Sequence, residues 1–309
     1  MRIGIGIGEA LGEGSAGFDG LIEAARQAEA DGFHGAWLAN IFGLDAMTAC
    51  AVLGRATKTI QLGTAVVPTY PRHPFAMAQQ AMTTQAATGG RFHLGIGLSH
   101  RVVIENSLGL SWDRSYSHMR EYLAVLAPLV RDGKVQHQGE LYRVQAALAV
   151  PGATPCPILV AALAPKMLAL AGAVADGTVT WMAGPKTLRD HVVPRIRKAA
   201  AEAGRPAPRI VASLPVAVTD DVAAARKVAS RQYFVYGKLP SYRAMLDREG
   251  AEGPADVAIV GSEAGVREQI EALAAAGVTE FVAAPFAVGD NAPASLARTR
   301  EALKACLSR

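Results

Sequence analysis

Eight short apolar runs constrain this chain more than any other feature of its sequence. They occupy residues 3–8, 35–39, 61–67, 92–98, 158–162, 178–183, 210–218 and 280–286. They read as continuous stretches rich in Val, Ile, Leu and Ala rather than as an in/out alternation. Continuous apolar strands belong in a parallel sheet covered on both faces. Parallel neighbours require crossover connections, and helical patterns stand between the runs. Phe18, Leu21, Ile22 and Ala25 recur at helical spacing, and Gly32 is placed to close that helix in the left-handed region. Pro165 opens a second helix that Asp176-Gly177 stops. Pro185 opens a third, with Leu188, Val192 and Ile196 on one face and Gly204 beyond its end. Ser262 caps a fourth, which carries Val266, Ile270 and Leu273 and ends at Gly277.

Eight strand–helix units predict a (β/α)8 TIM barrel forming one domain over residues 1–309, with a doubly wound sheet as the alternative. Residues 99–157 and 219–279 are too long for single crossovers, so insertions are expected after strands 4 and 7. A hairpin is expected around Gln138-Gly139-Glu140, and an additional helix near residues 240–248.

Composition excludes several function classes. Half of the 309 residues are apolar and 19% are charged, with a net charge of +4. No block of five or six Lys/Arg marks a nucleic-acid or membrane patch. The most apolar stretch, 146–175, is broken by Pro151, Pro155, Pro157, Pro165 and Lys166, so no membrane span is expected there. The N-terminus lacks the features of a secretory signal, and a cytoplasmic location is expected. Cys50, Cys156 and Cys306 form no C-x-x-C pair, and the seven histidines show no metal-ligand spacing, so no metal is expected. Neither Gly4-x-Gly6-x-Gly8 nor Gly95-Ile96-Gly97 completes a dinucleotide fingerprint, because Glu9, Leu11 and His100 stand where a third glycine belongs. These glycines either let a ligand ring approach or relieve crowding.

Two segments suggest a site. Residues 62–74 run from a strand into a loop punctuated by Pro68, Pro71 and Pro74 that presents Tyr70, Arg72 and His73. His73 and His100 both follow strands, at the catalytic end of a barrel, whereas His34 and His93 read as structural. In segment 157–167 a buried strand turns through small residues into a helix begun by Pro165. The free N–H groups there, together with Lys166, form an anion site or an ordinary turn.

Together these segments resemble the bacterial luciferase-like superfamily, in particular its coenzyme F420-dependent branch. The resemblance rests on residues 35–40, 63–74, Gly90-Arg91-Phe92-His93-Leu94-Gly95-Ile96-Gly97, Ser99-His100-Arg101, 118–123, 161–167 with Ala175-Asp176-Gly177, and Glu280-Phe281-Val282. It implies a barrel with the deazaflavin at its C-terminal mouth and a non-prolyl cis peptide at Ala65-Val66 supporting the ring. It places the cofactor phosphate on Ala162, Leu163, Ala164, Pro165, Lys166 and Met167. Gly97, Ser99 and His100 would line the ring, with Asn40 near its pyrimidine edge. Sugar-phosphate dehydrogenases of this branch carry an Asp-His pair where this chain has Asn40 and Ile41, and a glutamate at His100, so sugar-phosphate oxidation is not expected. His100 is then the expected proton donor, Tyr70 a second catalytic candidate, and Trp112, His118 and Trp181 the substrate walls. The implied activity is hydride transfer between the deazaflavin C5 and a small organic substrate, as reduction of an activated C=C or C=O. The alternatives are an FMN-dependent monooxygenase using O2 and a non-catalytic deazaflavin-binding barrel. A homodimer is also implied.

Overall fold

The computed structural model describes residues 1–8 and 17–307. Eight parallel strands close on themselves: Arg2–Gly6, Gly35–Leu38, Gln61–Thr64, Phe92–Gly97, Ile158–Val160, Gly177–Trp181, Arg209–Val218 and Glu280–Pro285. Closure is made by the first strand on the eighth, with Arg2 opposite Glu280 and Ile5 opposite Ala283. The expected barrel is therefore present, and each of the eight apolar runs supplies one of its strands. The third strand continues as a two-residue piece, Val67–Pro68, beside the fourth. A further short strand, Ile259–Gly261, lies outside the ring on the seventh.

The barrel interior is filled by Trp37, Leu159, Val179, Val211 and Val282, with Ala65 and Val66 packed against them. Trp37 explains several glycines. A Cβ on Gly63 would lie 2.4 Å from the indole, and one on Gly4 or Gly35 would lie 3.0–3.1 Å from it or from the facing backbone. Three neighbouring strands thus give up side chains to admit one large ring, which answers the question posed by the N-terminal glycine run: Gly4 relieves crowding. The indole Nε1 donates to Glu280 Oε1 at 2.8 Å, and Glu280 is paired with Arg209 at 2.6 Å. Arg209 also contacts His93, whose pKa burial and that guanidinium push down to about 3. His93 is structural, as its place in the strand suggested.

Helix ends match their local chemistry. Gly32, Gly204 and Gly277 all take positive φ after their helices, and Ser262 accepts from Gly265 N at 3.3 Å. The hairpin forms between Lys134–Gln138 and Arg143–Ala147. Its turn is held by the buried Glu121 carboxylate, which accepts from the N–H groups of Glu140, Leu141 and Tyr142. The second insertion contains the helices Phe234–Lys238 and Pro240–Glu249. Glu249 accepts from the N–H groups of Lys186 (3.0 Å) and Thr187 (2.6 Å), clasping the insertion to the start of the helix that follows the sixth strand. Among the described residues no helix is long and apolar enough to cross a membrane.

Candidate functional site

The C-terminal ends of the strands open into one cleft with two lobes. The larger, of about 790 Å³, has a floor of small residues: Ala65, Val66, Gly97, Ser99, Ala161 and Ala164. The smaller, of about 420 Å³, extends toward Asn40, Ile41, Phe42, Pro68, Pro71 and Arg72. Ala65, Val66, Ser99, His100, Val179, Thr180, Trp181, Leu239 and Tyr242 border both. A barrel mouth of this size suits a flat organic ligand with a second small molecule beside it.

The floor follows from local packing. The Ala65–Val66 peptide is cis. A Cβ on Gly97 would lie 2.7 Å from Val66 Cγ2 and 3.1 Å from Ala161 Cβ, so glycine lets the fourth strand lie flush under the cleft. Gly95 is a different case, since its Cβ would fall 1.9 Å from the Thr64 carbonyl oxygen. There Thr64 Oγ1 donates to Gly95 O at 2.8 Å and accepts from Gly95 N at 2.9 Å, so Gly95 serves strand pairing. Beyond the fourth strand Ser99 turns at φ +65°, and beyond the sixth Met182 turns at φ +56°. Non-glycine residues rarely take such angles and do so most often at functional sites.

His100 stands at the junction of the lobes. Its ring lies 5.5 Å from that of Tyr242, and burial lowers its pKa below the usual imidazole range. Asn40 borders the smaller lobe; its Oδ1 accepts from Ala46 N at 3.0 Å, and its NH2 has no protein partner among the described residues. Trp112 borders the larger lobe and Trp181 both. At the turn into helix Pro165–Val174, Leu163, Ala164 and Met167 border the larger lobe, and the Leu163 carbonyl accepts from His191 Nε2 at 2.7 Å. Ala162 is buried beneath, whereas Pro165 and Lys166 are exposed and do not border the cleft.

Three further sequence candidates lie away from the cleft walls. Tyr70 stacks on His118 with centroids 4.1 Å apart and on Trp112 at 5.2 Å, and its hydroxyl donates to Trp112 O at 3.2 Å. Burial raises its pKa to about 12. His118 is buried, held at 2.9 Å from Thr69 Oγ1 and 3.3 Å from the Tyr142 hydroxyl, with its pKa lowered by burial to about 4. Both support the wall behind Trp112. His73 caps helix Pro74–Ala87, its Nδ1 accepting from Phe75 N at 3.2 Å.

The structure adds residues that local pattern did not single out. Leu239 and Tyr242 arrive from the second insertion, and Val179 and Thr180 precede Trp181 on the sixth strand. Arg101 and Lys238 supply cations at the larger lobe. Arg72 stood in the proline-punctuated loop, where a cation beside rigid turns was the one available signal.

Comparison with known proteins places these features in context. A profile of the luciferase-like monooxygenase family matches residues 1–280. The 5,10-methylenetetrahydromethanopterin reductase of Methanolobus tindarius is 28% identical over 281 residues, 90% of this chain and 85% of that protein. The coenzyme F420-dependent tetrahydromethanopterin reductase of Methanopyrus kandleri superposes with a TM-score of 0.77 at 22% identity, covering 99% of both chains. The FMN complex of a type II Baeyer-Villiger monooxygenase of Pseudomonas putida superposes with a TM-score of 0.76 at 20% identity, covering 98% of this chain and 96% of that one. The barrel is thus shared between deazaflavin and flavin proteins.

Proposed function

We propose, from the premise that the chain belongs to the luciferase-like monooxygenase family, that it is a coenzyme F420-dependent oxidoreductase acting on a small organic substrate. The observation that carries this reading is the two-lobed cleft over a floor of small side chains. A flat ring fits against Ala65, Val66, Gly97 and Ala161, where any larger residue at Gly97 would intrude. A putative coenzyme F420-dependent oxidoreductase of Mycobacterium tuberculosis, 28% identical over 242 residues and 73% of this chain, supports deazaflavin over FMN.

The residues that would hold the cofactor are Asn40, Ala65, Val66, Gly97, Ser99 and His100 around the ring. The turn Ala162, Leu163, Ala164, Pro165, Lys166 and Met167 would hold the phosphate. The first two N–H groups after Pro165, on Lys166 and Met167, lack helical acceptors, and the helix dipole adds to their attraction for an anion. When bound, the deazaflavin supplies or accepts a hydride.

The protein's own contribution is positioning and proton management. The Asn40 amide offers a donor in the smaller lobe, at the edge of the ring. The His100 ring nitrogens have no protein partner among the described residues, and the ring borders both lobes. It is the group placed to give a proton to a carbanion or alkoxide left after reduction of an activated C=C or C=O. Trp112 and Trp181 shape the walls. Tyr70 and His118 act through packing, and neither is proposed to touch substrate.

Fluorescence titration with oxidised coenzyme F420 and, separately, FMN tests this reading. Micromolar binding of F420 alone is expected. Preference for FMN would replace it with oxygen-using monooxygenase chemistry, and tight F420 binding without turnover of any enone or ketone would leave a binding barrel.

A further inference from the structure

The two lobes differ in chemistry, and the smaller one is selective. Ile41, Phe42, Pro68, Pro71, Val103, Leu108, Val235 and Leu239 give it aliphatic and aromatic walls. Four of these stand open to solvent, with exposures of 52% for Ile41, 72% for Phe42, 43% for Leu108 and 61% for Val235. Large apolar side chains gathered on one concave surface mark a place that an apolar molecule covers.

Two of its hydroxyls are committed to the barrel backbone. The Ser213 hydroxyl donates to Val282 O at 2.9 Å, and that of Thr180 points to Val211 O at 3.5 Å. Among the described lining residues there is no Asp or Glu, and Arg72 is the one Arg or Lys.

Arg72 is held in place rather than left to wander. Its NH2 is ion-paired with Asp45, and its backbone N–H donates to Thr69 O at 3.1 Å between Pro71 and the helix begun by Pro74. Asp45 is itself fixed, accepting from Thr48 N and Thr48 Oγ1 at 2.8 Å and from Gln80 Nε2 at 2.9 Å. The remaining donors of the Arg72 guanidinium have no protein partner among the described residues. A planar guanidinium with one edge pinned presents its other N–H groups in the fork that matches a carboxylate.

We propose that Arg72 is a specificity-determining residue and that the smaller lobe takes a compact apolar carboxylate, its acid group on Arg72 and its hydrocarbon body against Ile41, Phe42, Leu108 and Val235. The assignment rests on the reading that the larger lobe takes the cofactor and leaves the smaller to the substrate. It excludes amines, for which the described lining of the lobe offers no carboxylate.

The test uses 3-phenylprop-2-enoate, its methyl ester and the corresponding alcohol as probes of one shape and three polarities. Their binding to the full-length protein is measured by calorimetry, with F420 titrated in parallel. The acid is expected to bind most tightly of the three. Arg72→Met should weaken the acid at least tenfold while changing the ester and alcohol less than twofold, and Arg72→Lys should recover part of the loss. Asp45→Asn, which keeps the guanidinium, should change acid affinity by threefold or less. Thermal melting of each variant confirms that it is folded. Failure of all three probes to bind, or equal loss of all three in Arg72→Met, overturns the proposal. Ester loss as large as acid loss does the same, because the anchor would then be for a neutral carbonyl. Arg72-dependent acid binding without F420 binding would leave Arg72 as the carboxylate anchor and remove the F420-dependent reading. The reverse pattern would remove the lobe assignment alone.

Discussion

Replacing Gly97 by alanine joins the packing of the barrel to its ligand. The new methyl carbon would sit 2.7 Å from Val66 Cγ2 and 3.1 Å from Ala161 Cβ. Carbon atoms in comfortable contact lie about 3.5–4.0 Å apart, so Val66 must yield by roughly 1 Å. The atom in the way is the end of a side chain, and the open direction for it is the cleft. The fold should therefore survive, with a loss of about 1–3 kcal/mol typical of overpacking. Unfolding entropy of about 2.1 cal/mol/K per residue gives this 309-residue chain roughly 0.65 kcal/mol/K, so Tm should fall by about 2–5 °C. Val66 borders both lobes, and its displacement should weaken F420 binding at least tenfold. Gly95→Ala is the internal contrast, because the obstructing atom is the Thr64 carbonyl at 1.9 Å and the third and fourth strands would have to part. That variant should not accumulate as folded protein. Thermal melts and fluorescence titrations of both variants provide the check. Gly97→Ala with wild-type Tm and wild-type affinity would refute the crowding argument, as would Gly95→Ala that melts within a degree of wild type.

Three shorter expectations accompany it. Lys166 is exposed, so Lys166→Ala should leave Tm within about 1 °C; it should still weaken F420 binding, and equal affinity would remove Lys166 from the phosphate site. His100→Asn should lower kcat about 100-fold with little change in F420 affinity. Because burial depresses the His100 pKa, wild-type kcat should rise as pH falls below about 6.5, and the variant should lack that limb; a limb that persists in the variant would clear His100 of the role. Glu29 accepts from Lys58 N, Thr59 N, Thr59 Oγ1 and Ile60 N, all at 2.6–3.0 Å. Burial works to raise its pKa, yet these bonds hold it down to about 2. A depressed carboxylate stabilises the fold above its unfolded pKa near 4.5, and that contribution fades as pH falls toward 2. Glu29→Gln should thus cost about 1–2 kcal/mol at pH 7 and less in melts near pH 3; a gap that is constant with pH would contradict this account.

Much of the architecture could be read from local order. The eight strands, the caps at Gly32, Gly204, Ser262 and Gly277, the hairpin at Gly139 and the helix beginning at Pro240 each follow from residues within a turn or two. Periodicity and capping are short-range properties, and the chain carries them whatever its fold. At the candidate site, the placement of His100 after the fourth strand was legible for the same reason, whereas the floor at Ala65, Val66 and Gly97 was implied only by the family resemblance. What could not be read is which of several aromatic or charged residues turns into the cleft. Tyr70 and His118 look like functional residues locally, but barrel closure stacks them on each other behind Trp112. Tyr242 and Leu239 look like ordinary helix residues until the Glu249 clasp brings their helix against the start of the one opened by Pro185. Gly4, Gly35 and Gly63 carry no common local pattern, yet one indole requires all three. Arg72 acquires its role from Asp45 and from an apolar wall contributed by distant loops. The amino-acid sequence alone determined the elements and their order, because backbone and side-chain preferences act over a few residues. Tertiary structure decided the site, because facing across a barrel mouth is a relation between strand ends that exists only once the sheet has closed.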